Sequence, residues 1–142
     1  MSRVRTLRGK VDNTTPVRLV IDDGNFNHAF RVIEFKVLVS DPQPDPSGSW
    51  ATLSLSEDSA GIWDLSDNGQ IGWAGMDVAD AKSPNPLMSL IDPDHVVVRD
   101  LWIYGDASAA QTFQYFVRLE MVDISDDQAI LALIKERSQN VN

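Results

Sequence analysis

Alternation of apolar and polar positions marks much of this chain as β-strand. In "TFQYFVRLEMV" (112–122), Phe113, Tyr115, Val117, Leu119 and Met121 fall on one face. Gln114, Arg118 and Glu120 fall on the other, with Phe116 as the exception. "HVVVRDLWIYG" (95–105) is apolar on both faces except at Arg99 and Asp100, as suits a strand between two layers. "AFRVIEFKVLV" (29–39) predicts a third long strand. There Ile33, Phe35, Val37 and Val39 share a face, and Glu34 and Lys36 mark the other. "VRLVI" (17–21) and "WATLSLS" (50–56) follow, with shorter candidates at 4–11, 70–75 and 86–91.

Between these runs lie turn residues. "DDGN" (22–25) and "SDNG" (66–69) supply Asp, Asn and Gly, which tolerate positive φ. "SDPQPDPSGS" (40–49) holds Pro42, Pro44 and Pro46 and predicts an extended surface loop. Strands joined by such turns, without alternating helices, predict an all-β, single-domain antiparallel β-sandwich. About eight strands in this length suit a jelly-roll-like arrangement, with a closed barrel as the competing fold.

The period changes at the end of the chain. In "ISDDQAILALIKERSQNVN" (124–142), Ser125 and Gln128 form a capping box, and Asp126 and Asp127 favour a helix N-terminus. Ile130, Leu131, Leu133 and Ile134 make one apolar stripe. A short C-terminal α-helix is predicted. A helix this short is marginal alone, so its stripe needs a surface, on its own domain or on a neighbour. The chain thus divides into a basic arm or edge strand at 1–11, a sandwich at 12–123, and the helix and tail at 124–142.

Charge refines this division. The net charge is −9, yet Arg3, Arg5, Arg8 and Lys10 occupy the first ten residues without an acid among them. The acidic remainder argues against general nucleic-acid binding, leaving the basic arm as the one candidate contact. The arm lacks the apolar core of a signal peptide, and no apolar run reaches membrane-spanning length. With no cysteine, disulfides and thiolate chemistry are excluded.

Candidate chemistry is sparse. No nucleophile elbow, phosphate loop or zinc-protease motif is present. His95 follows Asp92 and Asp94, but no serine is marked as its partner, so catalysis is not expected. "DLSDNG" (64–69) has a faint calcium-loop look, but the twelfth position from Asp64 is Gly75, where such a loop needs Glu. A tight turn is the expectation, and no metal or cofactor is assigned. Trp50, Trp63, Trp73 and Trp102 raise a carbohydrate-binding alternative, with Trp63 and Trp73 flanking the turn as its candidate glycan platform.

"RLVIDDGNFNHAFRV", "IDPDHVVVRDLWIYG" and "ISDDQAILALIKERSQNV" together resemble small uncharacterised proteins of marine bacteriophages associated with virion structural genes. The resemblance covers mainly the C-terminal third. It implies a non-enzymatic virion protein assembled in the host cytoplasm, most simply a capsid decoration, cement or minor capsid protein. Its partners would be the major capsid protein or copies of itself. The expected contacts are the helix face (Ile130, Leu131, Leu133, Ile134) and the arm (Arg3, Arg5, Arg8, Lys10). The alternative is a carbohydrate- or receptor-binding module of a phage tail or fibre.

Overall fold

A computed structural model of the protein describes residues 4–12, 15–21, 28–40, 47–78, 84–92, 94–108 and 112–123. Eight strands follow in order: β1 (Val4–Val11), β2 (Val17–Val20), β3 (His28–Val39), β4 (Ser47–Ser54), β5 (Gln70–Val78), β6 (Pro84–Ile91), β7 (Asp100–Ala107) and β8 (Phe113–Asp123). They form two antiparallel sheets, β1-β8-β3 and β2-β7-β4-β5-β6. The pairing is nested: first with last, second with seventh, fourth with fifth. The third and sixth strands share no ladder, but the Ser89 hydroxyl donates to the Phe35 carbonyl across 2.7 Å. Pro84 and Pro86 lie on edge strand β6, where a missing amide donor is tolerated.

The sheets face each other over one core. Phe35, Val37 and Val39 of β3 and Phe113, Val117 and Leu119 of β8 meet Ala51 and Leu53 of β4 and Leu101 and Ile103 of β7. Each large apolar side chain buried there contributes roughly 1.5–3 kcal/mol. Glycines set the closest approaches. A Cβ at Gly72 would lie 3.2 Å from the Phe35 ring, and one at Gly105 would lie 2.9 Å from Phe113 Cζ. The all-β sandwich expectation holds at this level.

Two details differ from the alternation pattern. Ile33 does not share the buried face of Phe35: the register shifts between Val32 and Glu34, and Ile33 is 41% exposed. The bulge reverses the parity, so Phe30 and Val32 point inward before it and Phe35 and Val37 after it. The predicted strand at 95–105 also begins later, at Asp100. Val97 instead makes an isolated bridge, exchanging two 2.8 Å hydrogen bonds with Phe30 and tying the segment before β7 to the other sheet.

β1 is an edge strand of the three-stranded sheet. Leu7 and Val11 turn toward the core, while Arg8 and Lys10 lie on the outer face. Arg5 reaches the other sheet through a 3.0 Å bond from Nη1 to the Ile21 carbonyl. Arg3 and the predicted helix face, Ile130, Leu131, Leu133 and Ile134, lie outside the described residues.

Candidate functional site

The connection between β4 and β5 folds back over the outer face of the five-stranded sheet. Small polar residues build its turns. The Ser56 hydroxyl caps the 3-10 turn Glu57–Ser59 by accepting from the Ser59 amide. Asp67 accepts from the Ser59 hydroxyl at 3.0 Å and the Gly69 amide at 2.8 Å. Asp64 accepts from both the amide and the hydroxyl of Ser66, which holds its carboxyl below the usual carboxylate range.

Gln70, only 4% exposed, is the hub that fastens this connection. Its amide donates to the carbonyls of Ser59 and Ile62 at 3.0 and 2.9 Å. Its oxygen accepts from the Asp64 amide at 2.9 Å and the Trp73 indole at 2.8 Å. Every polar position of the side chain is thereby used, as burial demands. Trp73, half of the glycan platform under the alternative reading, is buried beneath the connection with its N–H committed to Gln70.

Trp63 remains at the surface. Its indole donates to the Ala51 carbonyl at 3.0 Å, and its ring lies over Gly75, where a Cβ would approach to 3.0 Å. Trp50 stands beside it, edge to face, with ring centroids 6.0 Å apart and planes at 73°. Tyr104 follows at 5.9 Å from Trp50. The two indoles wall a cleft of about 700 Å³ shared with Ile62, Asp77 and Asp106. Ile62 is 75% exposed. Asp106 lies directly beside Trp50 in the sheet, and one Asp77 oxygen is buried without a hydrogen-bond partner. No Lys, Arg or His lines the cleft among the described residues. Sequence reasoning counted Trp50 among four candidate tryptophans but paired Trp63 with Trp73. Strand parity carries the signal, since Trp50 and Gly75 are opposite one another across β4 and β5.

The outer face of the three-stranded sheet has the opposite character. Arg8, Phe116 and Lys36 lie in one row across β1, β8 and β3, and Lys10, Gln114 and Leu38 in the next. These residues border a second open depression of about 700 Å³. Further along the face, Arg118 is opposite Glu34, and Arg31 opposite Glu120. Bases therefore outnumber acids on this face of an acidic protein. Leu38 is 53% exposed within it.

The remaining candidates are quieter. His95 Nε2 and Asp92 Oδ2 pair at 3.1 Å, and Asp92 also accepts from the Asp94 amide, as a turn requires. Among the described residues no group of three or more His, Cys, Asp or Glu is placed to hold a metal ion. No described helix is long and apolar enough to cross a membrane. No known protein family, curated protein or solved structure matches the chain.

Proposed function

We propose that the protein is a non-enzymatic structural component of a bacteriophage particle, a capsid decoration, cement or minor capsid protein acting through repeated interfaces. The observation that carries this reading is the pair of unlike outer faces: a basic, leucine-bearing face on β1-β8-β3 and an acidic, tryptophan-bearing face on β2-β7-β4-β5-β6. Such faces suit contacts between subunits, and they need no catalytic constellation. The nested strand pairing supports a jelly roll, in which a long hairpin wraps on itself and β3 comes beside β6. That architecture serves capsid and lectin domains alike, so it supports the class without choosing the role. The resemblance to marine phage virion proteins supports a place in the particle, and within it the capsid role is our reading. A part that binds only the assembled shell stabilises it by linkage.

The test is sedimentation of purified particles. The protein is expected at a fixed copy number per particle, and its absence from particles would remove this reading. One observation favours the alternative, a carbohydrate- or receptor-binding module: Trp63 and Trp50 border an open cleft with carboxylates at hand. On that reading, a glycan array returns ligands, and Trp63→Ala abolishes their binding.

A further inference from the structure

The Trp50–Trp63 cleft is shaped for a cation. Its carboxylates, Asp77 and Asp106, can only accept hydrogen bonds when ionised, so its ligand must donate them. Both carry negative charge with no base among the lining residues, and one Asp77 oxygen has no partner. The two indoles meet at 73°, making a corner with two walls and not a flat platform. An aromatic corner beside carboxylates favours an ammonium or guanidinium on an apolar stem, through cation–π attraction and charge-assisted hydrogen bonds. A pyranose ring can donate from its hydroxyls, but it stacks on a flat aromatic face and brings no positive charge to the two carboxylates.

The same chain carries such cations on its opposite side. Arg8 and Lys36 flank Phe116 on the outer face of the three-stranded sheet, with Lys10 and exposed Leu38 in the adjoining row. The apolar surfaces correspond as well, with Ile62 beside the acidic cleft and Leu38 and Phe116 among the bases.

We propose that the Trp50–Trp63 cleft of one copy receives the basic face of a second copy, with the Arg8 or Lys36 side chain seated between the indoles and the carboxylates of Asp77 and Asp106. The contact is head to tail: it joins the cleft of one copy to the basic face of the next, so each member of a pair keeps one free face and the association continues into rings or rows. It rests on the assembly reading above and adds which surfaces meet.

Analytical ultracentrifugation of the full chain tests it. Self-association is expected at millimolar concentration in low salt, weakening as salt is raised. Lys36→Glu with Arg8→Glu breaks the basic face, and Asp106→Asn with Asp77→Asn neutralises the acidic one. Each pair of substitutions is expected to weaken self-association by about 30-fold or more. Near-ultraviolet circular dichroism of each variant reports whether the sandwich persists. Mixing the two variants distinguishes the contact from a symmetric one. The first retains an intact cleft and the second an intact basic face, so the mixture forms dimers and stops there.

A wild-type chain that stays monomeric overturns the proposal. So does self-association unaffected by both pairs of substitutions. A monomeric chain that binds a glycan through Trp63 overturns it in favour of the second reading. The two proposals fail separately. Self-association through these faces in a protein absent from particles would leave the contact and remove the virion role. A monomer found in particles would do the reverse.

Discussion

The two sheets treat their outer faces in opposite ways. The five-stranded sheet is partly roofed by the chain's own β4–β5 connection, which buries Trp73, Thr52 and Gln70 beneath it. The three-stranded sheet presents charged side chains in cross-strand rows, with Phe116 and Leu38 among them. The roof is held mainly by hydrogen bonds and two indoles. The bond that fixes Trp63 over Gly75 thus serves the fold and also sets one wall of the cleft. The charged face makes no comparable demand on the fold, so its composition is free to serve a contact.

Substitutions should separate the two regions by size of effect. The largest belongs beneath both of them, at Gly105. A Cβ there would collide with the Trp50 carbonyl oxygen and stand 2.9 Å from both Ala51 Cβ and Phe113 Cζ. Backbone and core cannot yield together, so Gly105→Ala should cost about 3 kcal/mol or more in urea denaturation. Gln70→Ala comes next, at about 3 kcal/mol. It strands a buried indole N–H and a backbone amide as donors, and two carbonyls as acceptors. A cost below about 0.5 kcal/mol would show that the roof is not fastened as described. Trp63→Ala should cost about 1–2 kcal/mol, through the lost bond to Ala51 and the uncovered Gly75. Faster hydrogen exchange should then be confined to 57–69.

A pH prediction probes the sheet with the charged face from its inner side. Burial pushes the Tyr115 hydroxyl above its ordinary value of 10.0. The unfolded chain therefore releases this proton first as pH rises. Stability is unaffected below pH 10.0 and falls as the pH climbs past it toward the folded value. Tyr115→Phe should flatten the decline in that window, which denaturation on either side of it would measure.

Much of this architecture was legible in the chain because alternation reports burial directly. Phe113, Val117 and Leu119 are fully buried, as their spacing predicts. Ile33 shows where the rule stops: a bulge inserts one residue, and nothing in "RVIEF" announces it. Gln70 was invisible for another reason. A glutamine after Asp-Asn-Gly reads as surface, and only the folded-back connection turns it into a buried hub. The cleft was half legible. Trp63 was singled out, but its partner depended on β4–β5 register, which pairs Trp50 with Gly75 and puts Trp73 under the roof. The charge of the first strand was plain, although Arg5 proved to stitch the sheets together while Arg8 and Lys10 face outward.

The smallest predicted effect is also the one that bears most on the contrast between the faces. Leu38 is more than half exposed, and its neighbours in the row, Lys10 and Gln114, are polar. A leucine there gains little from folding, so Leu38→Ser should change stability by no more than about 0.5 kcal/mol. In the proposed contact Leu38 lies on the face that meets the cleft of a second copy. The same substitution should therefore weaken self-association measurably while leaving thermal unfolding of the monomer unchanged. If Leu38→Ser instead lowers monomer stability by as much as Trp63→Ala, the two outer faces are alike in carrying the fold. The distinction between a roofed face and an open one would then fail.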